Sequence, residues 1–160
     1  MSGYPPDVQV KTDDPVNPGD LYGVTKCFDE ALGHYVAEQE GLSVISIRIG
    51  AAQPQESLRL AENARLMDAF LSDGDLHQLL KRCIETPEVR YAVVHGLRDN
   101  RFKRLDLSDT RALTGYEPVG DAAALNELVP PELLDPPEHD AGSPEQRSGL
   151  RKDLPRPLTS

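Results

Sequence analysis

The chain is short of the residues that mark several protein classes. It has no tryptophan, only 5% aromatic residues and two cysteines in 160 positions. Cys27 and Cys83 stand far apart, with no CxxC and no histidine at metal-ligand spacing, which excludes a disulfide framework and a zinc motif. They read as half-buried thiols of a reducing compartment. Long apolar runs are missing too, since Val44 to Ile49 is interrupted by Ser46 and Arg48. Nothing approaches the roughly 20 residues needed to cross a bilayer. The N-terminus has neither a basic start nor an apolar segment, so no secretory signal is expected and the expected location is the cytoplasm. Basic residues are outnumbered, 17 to 27, for a net charge of -10. Such an excess repels phosphate backbones and anionic lipid, so neither nucleic acid nor a membrane is expected as a partner. Among the 12 glycines no two stand two or three positions apart, which leaves out both common glycine-rich nucleotide turns. Gly115 and Gly120 have phosphate-loop spacing, but Asp121 follows where a lysine is needed. There is no HExxH, GxSxG or glycosylation sequon. His34, His77, His95 and His139 are scattered and form no site.

What is present divides the chain in three. Prolines crowd the two ends, leaving Pro54, Pro87 and Pro118 in the middle. Residues 1–18 are expected to be an extended loop, because proline fixes its own φ and drives the preceding residue out of the helical region. Residues 19–129 are the expected ordered body. Residues 130–160 are rich in proline and poor in apolar side chains, and burial there cannot offset the entropy of ordering. A disordered tail is expected.

Within the body, Asp20 can cap a helix whose apolar positions Leu21, Val24, Phe28, Ala31, Leu32, Tyr35 and Val36 recur at three and four. Gly41 closes it. SVISIRIG is then a β-branched strand, expected to be buried on both faces. The stretch LRLAENARLMDAFL has helical propensity with an untidy stripe. Ser72 caps a further helix with Leu76, Leu79, Leu80, Cys83 and Ile84 on one face, ended by Pro87. RYAVVHG is a second strand, and Ser108 to Gly115 a short capped helix. Helices alternating with short parallel-type strands give an α/β fold, but two or three strands are few for a doubly wound sheet.

One pattern carries chemistry. In Tyr22-Gly23-Val24-Thr25-Lys26 the phenol and the ammonium, four apart, share a helical face. A fixed positive charge beside a phenol favours the phenolate, so such a Tyr can take a proton from an alcohol or return it. By spacing alone the same pair also fits an exposed lysine beside a core tyrosine.

The surrounding residues narrow this. LYGVTKCFDEALGHYVAEQEGLSVISIRIG resembles the active-site helix and following strand of the extended short-chain dehydrogenase/reductase family. RLMDAFLSDGDLHQLLKRCIE and DNRFKRLDLSDTRALTGYEP resemble the C-terminal part of its uronate dehydrogenase-like branch, within the NAD-dependent epimerases and dehydratases. The resemblance covers about residues 3 to 122 and implies a partial Rossmann-like fold, a doubly wound parallel sheet fragment with C-terminal helices. It implies Tyr22 as general acid/base, and Lys26 as the residue that holds the nicotinamide ribose and lowers the Tyr22 pKa. NAD or NADP is the implied cofactor and a sugar or sugar acid the implied substrate. Arg65 resembles the arginine that meets the sugar-acid carboxylate, a role suited to a bidentate guanidinium; a solvated helix charge is its other reading. The resemblance also implies a homodimer through the 21–40 helix.

The departures are as informative. In the family a Rossmann half with its glycine turn precedes these blocks, and a catalytic Ser or Thr lies just upstream of the segment that Ser2-Gly3-Tyr4 resembles. Neither is in the chain, and a substrate-contacting Ser expected after RIG is Ala51. The expectation is therefore the C-terminal half of such an enzyme, through truncation or a late start, inactive by itself. Its alternatives are a non-catalytic interaction module or a half completed by a partner chain.

Overall fold

A computed structural model describes residues 8–59, 67–101 and 103–125. The elements are α1 (Leu21–Glu40), β1 (Val44–Ile49), β2 (Ala51–Ala52), a 3-10 turn (Gln55–Arg59), β3 (Phe70–Leu71), α2 (Asp73–Glu85), β4 (Tyr91–Gly96), α3 (Ser108–Thr114) and a last 3-10 turn (Ala123–Leu125). The 130–160 tail lies outside the described residues.

β1 and β4 pair in parallel, from Val44 opposite Tyr91 to Ile49 opposite Gly96. Parallel strands need a crossover, and the β2 to α2 segment supplies it. β2 and β3 form a second small parallel pair, Ala51 opposite Phe70. Side chains alternate across a strand, so each helix sees its own set of sheet residues. Gly33 of α1 lies against Val44 and Ser46, and the Tyr91 hydroxyl donates to the Glu30 carbonyl, at 3.1 Å. Gly96 and Ile47, pointing the other way, meet Leu79 of α2. Helices on both faces of a parallel sheet are the doubly wound arrangement.

Caps follow the expected chemistry in two helices. The Asp20 carboxylate accepts from Gly23 N at 2.6 Å, and Gly41 ends α1 in the left-handed region at φ 73°. The Ser72 hydroxyl accepts from Asp75 N to start α2, which stops at Glu85 before Pro87. α3 differs from expectation at its start. Ser108 is already helical, Leu107 precedes it without a side-chain cap, and the Asp106 carboxylate accepts from Ser108 N instead.

The main core joins Val10, Leu79, Leu97, Leu105, Leu107 and Tyr116. A smaller one joins Leu58, Phe70 and Ala122. Val10 enters the core by a parallel bridge to Leu105, its N–H donating to the Arg104 carbonyl at 2.7 Å.

Four expectations change. The apolar stripe of α1 faces outward, with Leu21 83%, Phe28 66% and Tyr35 57% exposed. The inward face holds Gly23, Cys27, Glu30, Gly33 and Ala37, with Val36 the one member of the apolar stripe that joins it, and it has the same three-and-four spacing. A small-residue face wins because Gly33 brings the helix so close to β1 that an added Cβ would sit 3.3 Å from Val44 and Ser46 side chains. β1 is half-buried rather than buried on both faces, and Ile49 is exposed. Among the described residues only β4 pairs with it, leaving its other edge open. The stretch from Leu58 is not a helix at its described ends: 55–59 is a 3-10 turn and Phe70–Leu71 a strand. On α2, Leu79 is buried but Leu80 and Ile84 are exposed.

Candidate active site

Tyr22 and Lys26 lie on successive turns at the start of α1. The Asp20 cap fixes that start, and Pro18 packs so closely that a Cβ on Gly23 would stand 3.0 Å from its ring. The Thr25 hydroxyl donates to the Tyr22 carbonyl at 2.8 Å. The Lys26 ammonium sits 5.4 Å from the centre of the Tyr22 ring. Tyr22 is 71% exposed, so it is not a core tyrosine with a lysine beside it. Both side chains border an open cleft of about 610 Å³ between the 15–18 loop, α1 and the free side of β1, which Arg48 also lines.

Arg48 and Glu30 were not singled out from the sequence. The Arg48 guanidinium donates Nε to Glu30 Oε1 at 2.8 Å and Nη2 to Oε2 at 2.9 Å. Both side chains are 20% exposed. The bidentate bond to Glu30 holds the Arg48 guanidinium above its already high range, against the opposing effect of burial. The only signal in the sequence is a charge placed inside an apolar strand. Asp29 is a further addition, its carboxylate 2.7 Å from Lys26 Nζ. Its signal is the three-residue spacing from Lys26.

Cys27 also borders the cleft. Arg65 lies outside the described residues. Ala51, in β2, presents a methyl group where a hydroxyl is expected, and its N–H donates to the Ala69 carbonyl at 2.6 Å. His95 is buried in β4, with Nδ1 2.8 Å from the Asp106 carbonyl and Nε2 without a partner among the described residues. Burial pushes its imidazole below the usual histidine range. Cys27 and Cys83 are free, half-buried thiols, and desolvation raises the Cys83 pKa. Among the described residues no three His, Cys, Asp or Glu side chains converge on a metal position, and no helix is long and apolar enough to cross a membrane.

No family model matches the chain. Curated relatives do. It is 35% identical over 126 residues to a uronate dehydrogenase of Pseudomonas putida, covering 79% of this chain and 45% of that protein. The chain is homologous to the uronate dehydrogenases. It is also 37% identical over 127 residues to an L-arabinose 1-dehydrogenase (NAD(P)(+)) of Haloferax volcanii, covering 74% of this chain and 49% of the relative. In three dimensions it matches a uronate dehydrogenase variant of Agrobacterium tumefaciens solved with NAD, at TM-score 0.70 and 26% identity, over 91% of this chain and 52% of that one. The chain thus spans about half the length of the uronate dehydrogenases it matches, with a Rossmann-type fold in common and NAD or NADP named for the relatives.

Proposed function

We propose that the chain carries the acid/base segment of an NAD(P)-dependent oxidoreductase of the short-chain dehydrogenase/reductase type, acting on a sugar or sugar acid. The observation that supports this is the Tyr22 and Lys26 pair, exposed together at one cleft with the ammonium 5.4 Å from the phenol ring centre. Tyr22 would accept the proton of a substrate hydroxyl as the C–H bond on the same carbon gives up its hydride. Lys26 would donate hydrogen bonds to the ribose hydroxyls of the cofactor. Bound NAD(P) would supply the hydride acceptor. The donor set fits the nicotinamide ribose end, since an exposed ammonium with one donor on Asp29 keeps two for neutral hydroxyls. It does not fit the pyrophosphate, which needs backbone N–H groups at a glycine turn that this sequence lacks. Arg65 is proposed to meet a substrate carboxylate, on the resemblance of its sequence block.

The 160-residue chain alone is accordingly proposed not to reduce NAD or NADP, and to need nucleotide-binding residues from elsewhere. The open edge of β1 favours a complementing strand from such a half, because an unpaired row of backbone N–H and C=O groups invites pairing. We also propose a cytoplasmic location, and self-association through the outer face of α1, where Leu21, Val24, Phe28, Leu32 and Tyr35 are all exposed.

A chimera tests the main reading. Residues 8–125 replace the matching segment of the Pseudomonas putida uronate dehydrogenase, and NAD reduction is followed with galacturonate, glucuronate and arabinose. The expected result is a measurable rate with one of these sugars that falls at least about 100-fold in Tyr22→Phe, the usual scale of a lost acid/base group. A folded, NAD-binding chimera whose rate is the same with Phe at position 22 would overturn the reading.

A further inference from the structure

The Lys26 ammonium has a second neighbour besides the Tyr22 ring. Asp29 Oδ2 accepts from Nζ at 2.7 Å, one turn further along α1. The side chains are 54% and 57% exposed, so solvent reaches both. Asp29 is nonetheless the first cause, through its hydrogen bond and then its charge, that holds the Lys26 ammonium above the usual lysine range, with desolvation opposing.

The other charges around this end of the cleft are engaged elsewhere. On α1, Glu30 is taken by both arms of the Arg48 fork from β1. In the loop ahead of the helix, one Asp20 oxygen accepts from Gly23 N. Lys11 N donates to the Asp14 carboxylate, which turns that acid back on its own loop. Among the described residues, Asp29 is the acid that the Lys26 ammonium meets.

We propose that Asp29 is a positioning residue for Lys26, selecting the rotamer that lays the ammonium against the Tyr22 ring. The proposal rests on reading Tyr22 and Lys26 as the acid/base pair. Two consequences follow from charge and donor count. One of the three ammonium donors is committed to Asp29, which leaves the others for a ligand. The adjacent carboxylate also offsets the lysine charge, so neutral hydroxyl groups suit this position and a phosphate or carboxylate group does not.

The test uses the full 160-residue chain and needs no catalysis. Trace acetylation with acetic anhydride at a series of mildly alkaline pH values labels each lysine in proportion to its uncharged fraction, read by peptide mass spectrometry. Wild type, Asp29→Asn and Asp29→Glu are compared. Lys81, paired with Glu85 on α2, is the reference, and Lys103, whose side chain is 6% exposed, reports unfolding. Asp29→Asn is expected to raise Lys26 labelling about two-fold relative to Lys81, the scale of a solvent-exposed ion pair, and Asp29→Glu to restore it. A Lys26 profile in Asp29→Asn that superimposes on wild type overturns the proposal. So does a rise that Lys26 shares with Lys103, which would make Asp29 merely structural. Failure of the acid/base reading would appear in the Tyr22→Phe chimera and leave this labelling unchanged.

Discussion

The Arg48 guanidinium grips the Glu30 carboxylate with two near-parallel hydrogen bonds, at 2.8 and 2.9 Å, and so ties β1 to the helix that carries Tyr22 and Lys26. Arg48 Nη1 also reaches the Thr12 carbonyl, at 3.4 Å, in the loop that leads into that helix. One side chain thus spans strand, helix and loop at the cleft.

Removing either partner strands a charge at a site that is 20% exposed. Arg48→Ala and Glu30→Ala are each expected to lower stability by about 1–3 kcal/mol, below the cost of a fully buried pair because solvent still reaches it. The double variant should lose less than the sum. Urea unfolding of the four proteins checks this, and strict additivity would show that the two groups do not cooperate.

His95 makes stability depend on pH. Its folded pKa is depressed below 6.5 by burial, so the unfolded chain binds the proton more readily. The stabilisation is complete above the unfolded value and is lost as pH falls from there through the folded value. Arg48, Asp106 and Asp109 also act on this ring, Arg48 lowering and the two acids raising its pKa. The urea midpoint of wild type should therefore fall between neutral and mildly acidic pH, and His95→Gln should flatten that part of the profile. An identical slope in both proteins would remove His95 as the cause.

Close backbone approaches should tolerate no added carbon. A Cβ on Gly96 would stand 2.7 Å from Leu79 Cδ2, and one on Gly50 would stand 2.1 Å from the Ala69 carbonyl oxygen. Gly96→Ala is expected to cost about 1–3 kcal/mol, because leucine can shift rotamer. Gly50→Ala should cost more, since the obstacle is backbone already committed as acceptor to Ala51 N. Thermal unfolding that ranks the two the other way would contradict this geometry.

Tyr22 should matter for chemistry and little for folding. With 71% of the residue exposed, Tyr22→Phe is expected to change stability by no more than about 0.5 kcal/mol. A large loss in urea unfolding would mean that the phenol has a structural partner.

Charging the outer face of α1 should separate association from folding. Phe28→Lys with Leu32→Lys replaces side chains that are 66% and 47% exposed. Light scattering is expected to show a smaller species than wild type at the same concentration, with little change in melting temperature. A wild-type protein already monomeric at high concentration would remove the proposed self-association.

The elements that could be read from the sequence are those whose ends carry their own chemistry: Asp20 and Gly41 around α1, Ser72 and Pro87 around α2, and the β-branched runs of β1 and β4. Which face of α1 turns inward could not be read that way. Leu21, Val24, Phe28 and Leu32 have helical spacing, but so do Gly23, Cys27, Glu30 and Gly33, and only the closeness of the sheet decides between them. Tyr22 and Lys26 were visible because their relation is local, four residues apart. Arg48 and Glu30 were not, because their meeting depends on how a strand and a helix pack.

The bridge between Val10 and Leu105 bears on the order of folding. It joins the segment leading into α1 to a segment near the other end of the described chain, so the loop it closes takes in every element from α1 to β4. Closing so large a loop is entropically slow and waits for residues synthesised late. α1 can coil as soon as it is made, and Arg48 can reach the loop ahead of it through the Thr12 carbonyl, but the bridge that seats that loop in the core forms only after Leu105 has emerged. The surroundings of Tyr22 are then among the last parts of the molecule to take their final form.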